Sequence, residues 1–115
     1  KFGIEYDRIL TVYRKANNNP HLVVAGLAIH IGSQLTGLAP FKAAFNKMAK
    51  LVTDIRAEGL SVDRLDLGGG LGIVYRDERP PTPVEYAQVV IQIILQTLIL
   101  IVQVMMKMEI LYQKI

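Results

Sequence analysis

Two short stretches of the sequence combine residue types that could bind a ligand. The first is HIGSQ at 30–34, where an imidazole and a hydroxyl follow an apolar run. The second is LDLGGGLGI at 65–73, with glycines at 68, 69, 70 and 72. Consecutive glycines can turn several backbone N–H groups toward one point, which suits a phosphate or another anion. The glycines therefore predict an anion site, with a plain tight turn as the alternative.

Two helices are predicted around these stretches from the spacing of apolar residues. One apolar stripe predicts a helix over 5–16, and a second stripe predicts a helix that includes 41–55. Pro40 suits the first turn of the second helix, and Gly59 suits its C-terminal end. Each predicted helix precedes a predicted strand.

The two predicted strands lead into the two stretches. Residues 22–31 are continuously apolar, which is typical of a parallel strand covered on both faces, and a shorter strand is predicted at 62–67. The alternation of helices and strands predicts an α/β fold with a parallel sheet, either open or closed into a barrel. Ligand sites in such folds gather at the carboxyl ends of the strands. His30 and the glycines are expected there together, although a single histidine more often just bonds a backbone carbonyl.

The composition argues against several classes of protein. The 115 residues include 13 Lys and Arg and 10 Asp and Glu, and these charges are interspersed, so no nucleic-acid surface is predicted. There is no cysteine, so a disulfide framework and a thiolate metal site are excluded, no metal site is predicted, and a reducing compartment fits. The chain begins with lysine and has no signal peptide at its start, so we expect an internal part of a longer protein.

Four segments of the chain closely resemble the diaminopimelate decarboxylases. They are KFGI at 1–4, GLAIHIGSQLTGLAPF at 26–41, LDLGGGLGI at 65–73 and ERPPTPVEY at 78–86. The resemblance implies part of a (β/α)8 TIM-type barrel that binds pyridoxal 5'-phosphate. It also implies a cytoplasmic homodimer that removes one carboxylate from meso-diaminopimelate to make lysine. The Gly-Ser-Gln that follows His30 favours this branch over the related ornithine, arginine and carboxynorspermidine decarboxylases.

The resemblance also implies roles for five residues. His30 matches the histidine whose ring packs against the pyridine ring of the cofactor. Ser33 matches a hydroxyl close to the cofactor phosphate, and the backbone of Gly68, Gly69 and Gly70 matches the phosphate cradle. These five residues are the predicted cofactor-binding set.

Other functional residues of the family do not occur in this sequence. The Schiff-base lysine of the family belongs to an earlier barrel strand, so Lys1 is not its counterpart. The Glu-Pro-Gly-Arg motif, which supplies the acidic partner of the pyridine nitrogen, is also missing. No catalytic residue is therefore assigned, and the isolated chain is expected not to decarboxylate.

The sequence changes character after Tyr86, and a domain boundary is predicted there. Residues 1–86 are assigned to the barrel, whereas 87–115 form an apolar tail without Gly, Pro, Asp, Asn or Arg and without a match to the family. One polar stripe predicts a long helix, and it comprises Gln88, Gln92, Gln96, Gln103 and Lys107.

Three interpretations of the tail stay open. A membrane span over 89–106 is long enough, but its glutamines disfavour it. A helix could instead pack on the barrel flank or self-associate. The alternative function is then that of a degenerate, non-enzymatic domain that associates through its apolar tail. The third interpretation is a frameshifted or decayed gene segment.

Overall fold

A computed structural model of the protein describes residues 3–97. The described elements follow one another as a 3-10 turn at Tyr6–Arg8, helix α1 at Ile9–Asn17, strand β1 at Gly26–Ala28, helix α2 at Ala39–Ala57, strand β2 at Arg64–Asp66 and helix α3 over 83–97. The predicted α/β fold with parallel strands is confirmed. The crossover from β1 through α2 to β2 is the unit that positions the two candidate ligand-binding stretches, 30–34 and 65–73.

The two strands pair in parallel over three residues each. The register places Gly26 opposite Arg64, Leu27 opposite Leu65 and Ala28 opposite Asp66. The observed strands are shorter than the predicted ranges 22–31 and 62–67, because β2 is the only strand beside β1 in the described residues. Within residues 3–97, Ala28 of β1 is exposed and Val23, which precedes the strand, is 96% exposed, so the predicted cover on both faces stays a prediction.

Helix α2 forms as its apolar stripe predicts. Pro40 lies in the first turn, where the missing N–H group costs no helical hydrogen bond. Gly59 follows the last turn with a φ of 77°, and its N–H group donates to the Arg56 carbonyl oxygen at 3.0 Å. The buried side chains of the helix are Phe41, Phe45, Met48, Leu51, Val52 and Ile55.

Helix α2 joins two hydrophobic clusters. The first packs α1 against the C-terminal half of α2, and its buried members are Tyr13, Leu51, Val52, Ile55 and Val62. The second packs α3 against the N-terminal half of α2, and its buried members are Phe41, Phe45 and Val89. Side chains within and beside the two candidate stretches pack onto this second cluster, namely Ile29, Ile31, Leu35, Leu67 and Leu71. The second cluster therefore supports the candidate site.

Helix α3 begins at residue 83, four residues before the predicted tail. Thr82 and Glu85 form a capping box, in which the Thr82 N–H group donates to Glu85 Oε2 at 2.7 Å and the Glu85 N–H group donates to Thr82 Oγ1 at 3.2 Å. The hydrogen bonds that the Thr82 N–H group and the Thr82 hydroxyl donate to the Glu85 carboxylate lower its pKa. Pro83 then occupies the first helical position, so the cap and the proline fix where the helix starts.

The predicted tail helix lies only partly in the described residues. Residues 87–97 are helical, and Gln88, Gln92 and Gln96 are exposed along them. The rest of the predicted polar stripe, Gln103 and Lys107, lies outside the described residues. Among the helices of residues 3–97, none is both long and apolar enough to cross a membrane.

Candidate functional site

The two candidate ligand-binding stretches lie side by side in the structure. Directly after the strands, the Ile29 N–H group donates to the Asp66 carbonyl oxygen at 2.9 Å. Pairing then resumes further on, where Leu35 N–H donates to the Gly70 carbonyl oxygen and Gly72 N–H donates to the Leu35 carbonyl oxygen, both at 2.8 Å. The loop after β1, residues 29–35, is thus held along the loop after β2, residues 67–73. We call them the histidine loop and the glycine loop.

Two of the three consecutive glycines are required by the contact between the loops. Gly68 and Gly70 have φ values of 68° and 98°, which side chains rarely tolerate. A Cβ atom at Gly68 would collide with the Ile29 carbonyl oxygen, and one at Gly70 would collide with the Gly32 carbonyl oxygen. These two glycines are therefore explained by the fold of the chain.

Gly69 has no such structural requirement. Its φ lies outside the left-handed region, and a Cβ atom placed there would meet no atom within 4 Å. The sequence prediction treats the three glycines as one cradle, whereas the structure separates Gly69 from its neighbours. A ligand could therefore approach the backbone of the glycine loop at Gly69.

Asp66 shapes the start of the glycine loop, and the sequence analysis does not select it. Its Oδ1 atom accepts a hydrogen bond from the Gly68 N–H group at 2.8 Å. The N–H groups of Gly69 and Gly70, by contrast, donate to no residue in 3–97. An aspartate two residues before a glycine is the sequence signal for such a turn. Two unengaged N–H groups are thus available to an anion.

An open cleft lies at the carboxyl ends of the two strands. Its volume is about 430 Å³, and its lining residues are Gly3, Ala28, Ile29, His30, Asp66 and Gly68. The structure therefore brings His30 and Gly68 together, as predicted from their positions after the strands. Ser33, Gly69 and Gly70 lie on the same two loops but do not line this cleft. His30 and Ser33 are both exposed.

Among residues 3–97, no lysine lines the cleft, and the described lysines belong to helices α1 and α2. Lys15 belongs to α1, whereas Lys42, Lys47 and Lys50 belong to α2. Within residues 3–97, no group of histidine and carboxylate side chains could hold a metal ion. The groups that the two loops and the cleft offer are an imidazole, a hydroxyl, the Asp66 carboxylate and backbone N–H donors. Of these, the imidazole suits an aromatic ring and the N–H donors suit an anion.

Gln34 is a further residue whose contacts the sequence does not predict. Its φ is 53°, and it is the only residue other than glycine with a positive φ in the described part of the chain. Its side chain bonds the backbone of Ile73 on the glycine loop through both amide atoms. From the sequence, Gln34 indicates only which branch of the decarboxylases the chain resembles.

The chain belongs to the pyridoxal-dependent decarboxylases. Residues 1–110 match the family model described as "Pyridoxal-dependent decarboxylase, pyridoxal binding domain". Among curated proteins, diaminopimelate decarboxylase of Vibrio cholerae is 54% identical over 88 residues, which are 76% of this chain and 21% of that protein. The enzyme of the same name from Pseudomonas aeruginosa is 46% identical over 90 residues, 78% of this chain and 22% of that protein.

Solved structures show the same relationship. Diaminopimelate decarboxylase from M. jannaschii, in co-complex with L-lysine, superposes with a TM-score of 0.78 at 33% identity, over 84% of this chain and 23% of that one. The Helicobacter pylori enzyme, complexed with L-lysine, gives a TM-score of 0.76 at 32% identity, over 80% of this chain and 23% of that one. The predicted resemblance to diaminopimelate decarboxylases is confirmed.

The chain spans about a fifth of the length of the curated relatives that it matches. The family match extends beyond Tyr86 to residue 110 and so includes most of the apolar tail. The boundary after Tyr86 stays a prediction.

Proposed function

We propose that this chain is the part of a diaminopimelate decarboxylase that binds the ring and the phosphate of pyridoxal 5'-phosphate. The observation that carries the proposal is the pair of unengaged N–H groups on Gly69 and Gly70, beside the loop with His30 and Ser33. Backbone N–H groups that converge from a glycine loop are a common phosphate site. The names of the relatives supply the reaction, which is loss of one carboxylate from meso-diaminopimelate to give L-lysine.

The proposed roles differ slightly along the loops. Gly69 and Gly70 donate their N–H groups to the phosphate, whereas Gly68 keeps its N–H bond to Asp66 and gives the glycine loop its sharp turn. Ser33 adds a hydroxyl donor from the histidine loop. The imidazole of His30 packs against the pyridine ring and limits how far that ring can tilt.

The cofactor supplies the electron sink for decarboxylation, because its ring system accepts the electron pair that remains when the bond to the carboxylate breaks. The residues of this chain hold and orient it. The sequence contains neither the Glu-Pro-Gly-Arg motif nor an assigned Schiff-base lysine, so the isolated chain is proposed to bind the cofactor without turning over substrate.

The described unit is proposed to be a sector of a (β/α)8 barrel, in a cytoplasmic protein that forms a homodimer. An apolar cleft of about 530 Å³ runs along β1, between that strand and α1. Such a cleft suits a further strand on that side of β1, as a barrel requires. In the same proposal, residues 87–97 of α3 pack on the barrel flank through Val89, Val90 and Ile93.

The first test is phosphate-dependent binding by the chain of 115 residues. Equilibrium dialysis should give tighter binding of pyridoxal 5'-phosphate than of pyridoxal, which lacks the phosphate. Gly69→Asp should weaken the phosphate-dependent part about tenfold or more, because it places a carboxylate in front of the two N–H donors. The fold should be retained, since a Cβ atom at Gly69 meets open space.

Gly69→Asn is the matched control for that substitution. It has almost the same size as Gly69→Asp but no charge, so it should bind the phosphate better than Gly69→Asp does. Equal binding of pyridoxal and pyridoxal 5'-phosphate by the unaltered chain would contradict the proposal. So would a Gly69→Asp chain that remains folded by circular dichroism and binds normally.

The substrate is tested in a complete enzyme. The matched segment of the Vibrio cholerae relative can be exchanged for the corresponding residues of this chain, and kcat/KM measured with meso-diaminopimelate, ornithine and arginine. We expect the hybrid to decarboxylate meso-diaminopimelate in preference to the other two, and the same hybrid with Gly69→Asp to lose that activity. A folded hybrid that is inactive, or that prefers ornithine or arginine, would refute the assignment of substrate.

A further inference from the structure

Gln34 makes an unusual contact between the two loops of the site. Its side-chain Nε2 donates to the Ile73 carbonyl oxygen at 2.5 Å, and its Oε1 accepts from the Ile73 N–H group at 3.1 Å. The side-chain amide therefore satisfies both backbone polar groups of one residue. The positive φ of Gln34 is a conformation that only glycine adopts freely, so the tertiary contacts must hold the residue in it.

The contact lies at the end of the backbone pairing between the loops. Leu35 accepts from Gly72 and donates to Gly70, which makes two rungs of a parallel ladder. The amide of Gln34 has the same donor and acceptor groups as a peptide unit, and it adds a further pair of bonds at Ile73. Gln34 thus continues the ladder with a side chain where the backbone pairing stops.

We propose that Gln34 is a positioning residue that holds the glycine loop, with the Gly69 and Gly70 N–H groups proposed to bind the phosphate, in place beside the histidine loop. This inference rests on the proposed function. Gln34 directly follows Ser33 on one loop, and Ile73 lies three residues after Gly70 on the other. A shift of the glycine loop would change the position of the Gly69 and Gly70 N–H groups relative to the Ser33 hydroxyl. The two hydrogen bonds from the Gln34 amide to Ile73 oppose that shift.

Because the contact between Gln34 and Ile73 is partly exposed, we expect it to affect the orientation of the glycine loop more than the stability of the fold. Gln34 is half-buried and Ile73 is 58% exposed, so water can replace the two hydrogen bonds when they break. The second hydrophobic cluster holds the neighbouring residues Leu35 and Leu71 independently of the amide. Loss of the amide should therefore loosen the glycine loop and leave the rest of the fold in place.

The test compares Gln34→Met with the unaltered chain. Methionine keeps the length of the side chain but can neither donate to nor accept from Ile73 as an amide does. We expect the Ile73 amide hydrogen to exchange faster, the affinity for pyridoxal 5'-phosphate to fall about tenfold, and the affinity for pyridoxal to stay unchanged. The phosphorus-31 signal of the bound phosphate should also shift, which a purely structural role of Gln34 would not produce.

Two further variants keep the test decisive. Gln34→Glu keeps the acceptor but sets a second oxygen against the Ile73 carbonyl oxygen, so it should weaken phosphate binding. It tests the same contact if Gln34→Met fails to fold. Gln92→Met, on the exposed face of α3, is the matched control and should bind like the unaltered chain.

The outcomes separate this inference from the proposed function. If the unaltered chain binds in a phosphate-dependent manner and Gln34→Met and Gln34→Glu bind equally well, the role of Gln34 is refuted and the proposed function stands. If the unaltered chain shows no phosphate-dependent binding, both are refuted.

Discussion

Replacing Phe41 with alanine is expected to lower the free energy of unfolding by about 3–5 kcal/mol. The Phe41 ring is fully buried and lies edge-on to Tyr86, with the ring centroids 5.1 Å apart. It also lies 6.0 Å from the centroid of Phe45. Alanine would remove both contacts and leave a cavity between α2 and α3. Because domains of this size are stable by only about 5–15 kcal/mol, much of the fold's stability depends on this one ring.

Urea denaturation followed by circular dichroism would measure this effect. Phe41→Leu is the matched control, because it keeps most of the apolar volume and should lose much less stability than Phe41→Ala. An unfolding midpoint for Phe41→Ala close to that of the unaltered chain would show that α3 does not pack on α2 as described.

Replacing Gly70 with alanine is expected to disrupt the pairing of the two loops and to abolish phosphate-dependent binding. The φ of 98° would be strained for alanine, and its Cβ atom would collide with the Gly32 carbonyl oxygen. Backbone oxygen cannot move aside as a side chain can, so we expect a loss of at least about 2 kcal/mol in stability. Thermal unfolding and equilibrium dialysis with pyridoxal 5'-phosphate would measure the two effects.

The adjacent glycine provides the control. Gly69→Ala adds the same methyl group one residue earlier, where the φ is ordinary and the space is open, so it should unfold like the unaltered chain. Equal stability of Gly69→Ala and Gly70→Ala would contradict the close approach of the two loops.

Features that depend on local sequence could be predicted. The spacing of Phe41, Phe45 and Met48 predicts α2, and Pro40 and Gly59 indicate its two ends, because helix formation depends on neighbouring residues along the chain. The placement of both candidate stretches at one edge of the sheet follows from the parallel arrangement alone.

Features that depend on a neighbouring loop could not be predicted. The different constraints on Gly68, Gly69 and Gly70 arise from the Ile29 and Gly32 carbonyl oxygens, which are distant in sequence. The length of β1 was likewise set by its partner strand and not by its own apolar residues. The start of α3 does have a local signal, since Thr82 and Glu85 have the spacing of a capping box. The predicted tail helix was placed from residue 87 because the apolar composition begins there.

The contact between Gln34 and Ile73 also has a consequence for the order in which the chain folds. It joins residues 39 positions apart, whereas the hydrogen bonds of α2 join residues in adjacent turns. Closing so long a segment costs chain entropy before any contact between the loops can repay it. We therefore expect the turns of α2 to form before the histidine loop and the glycine loop pair.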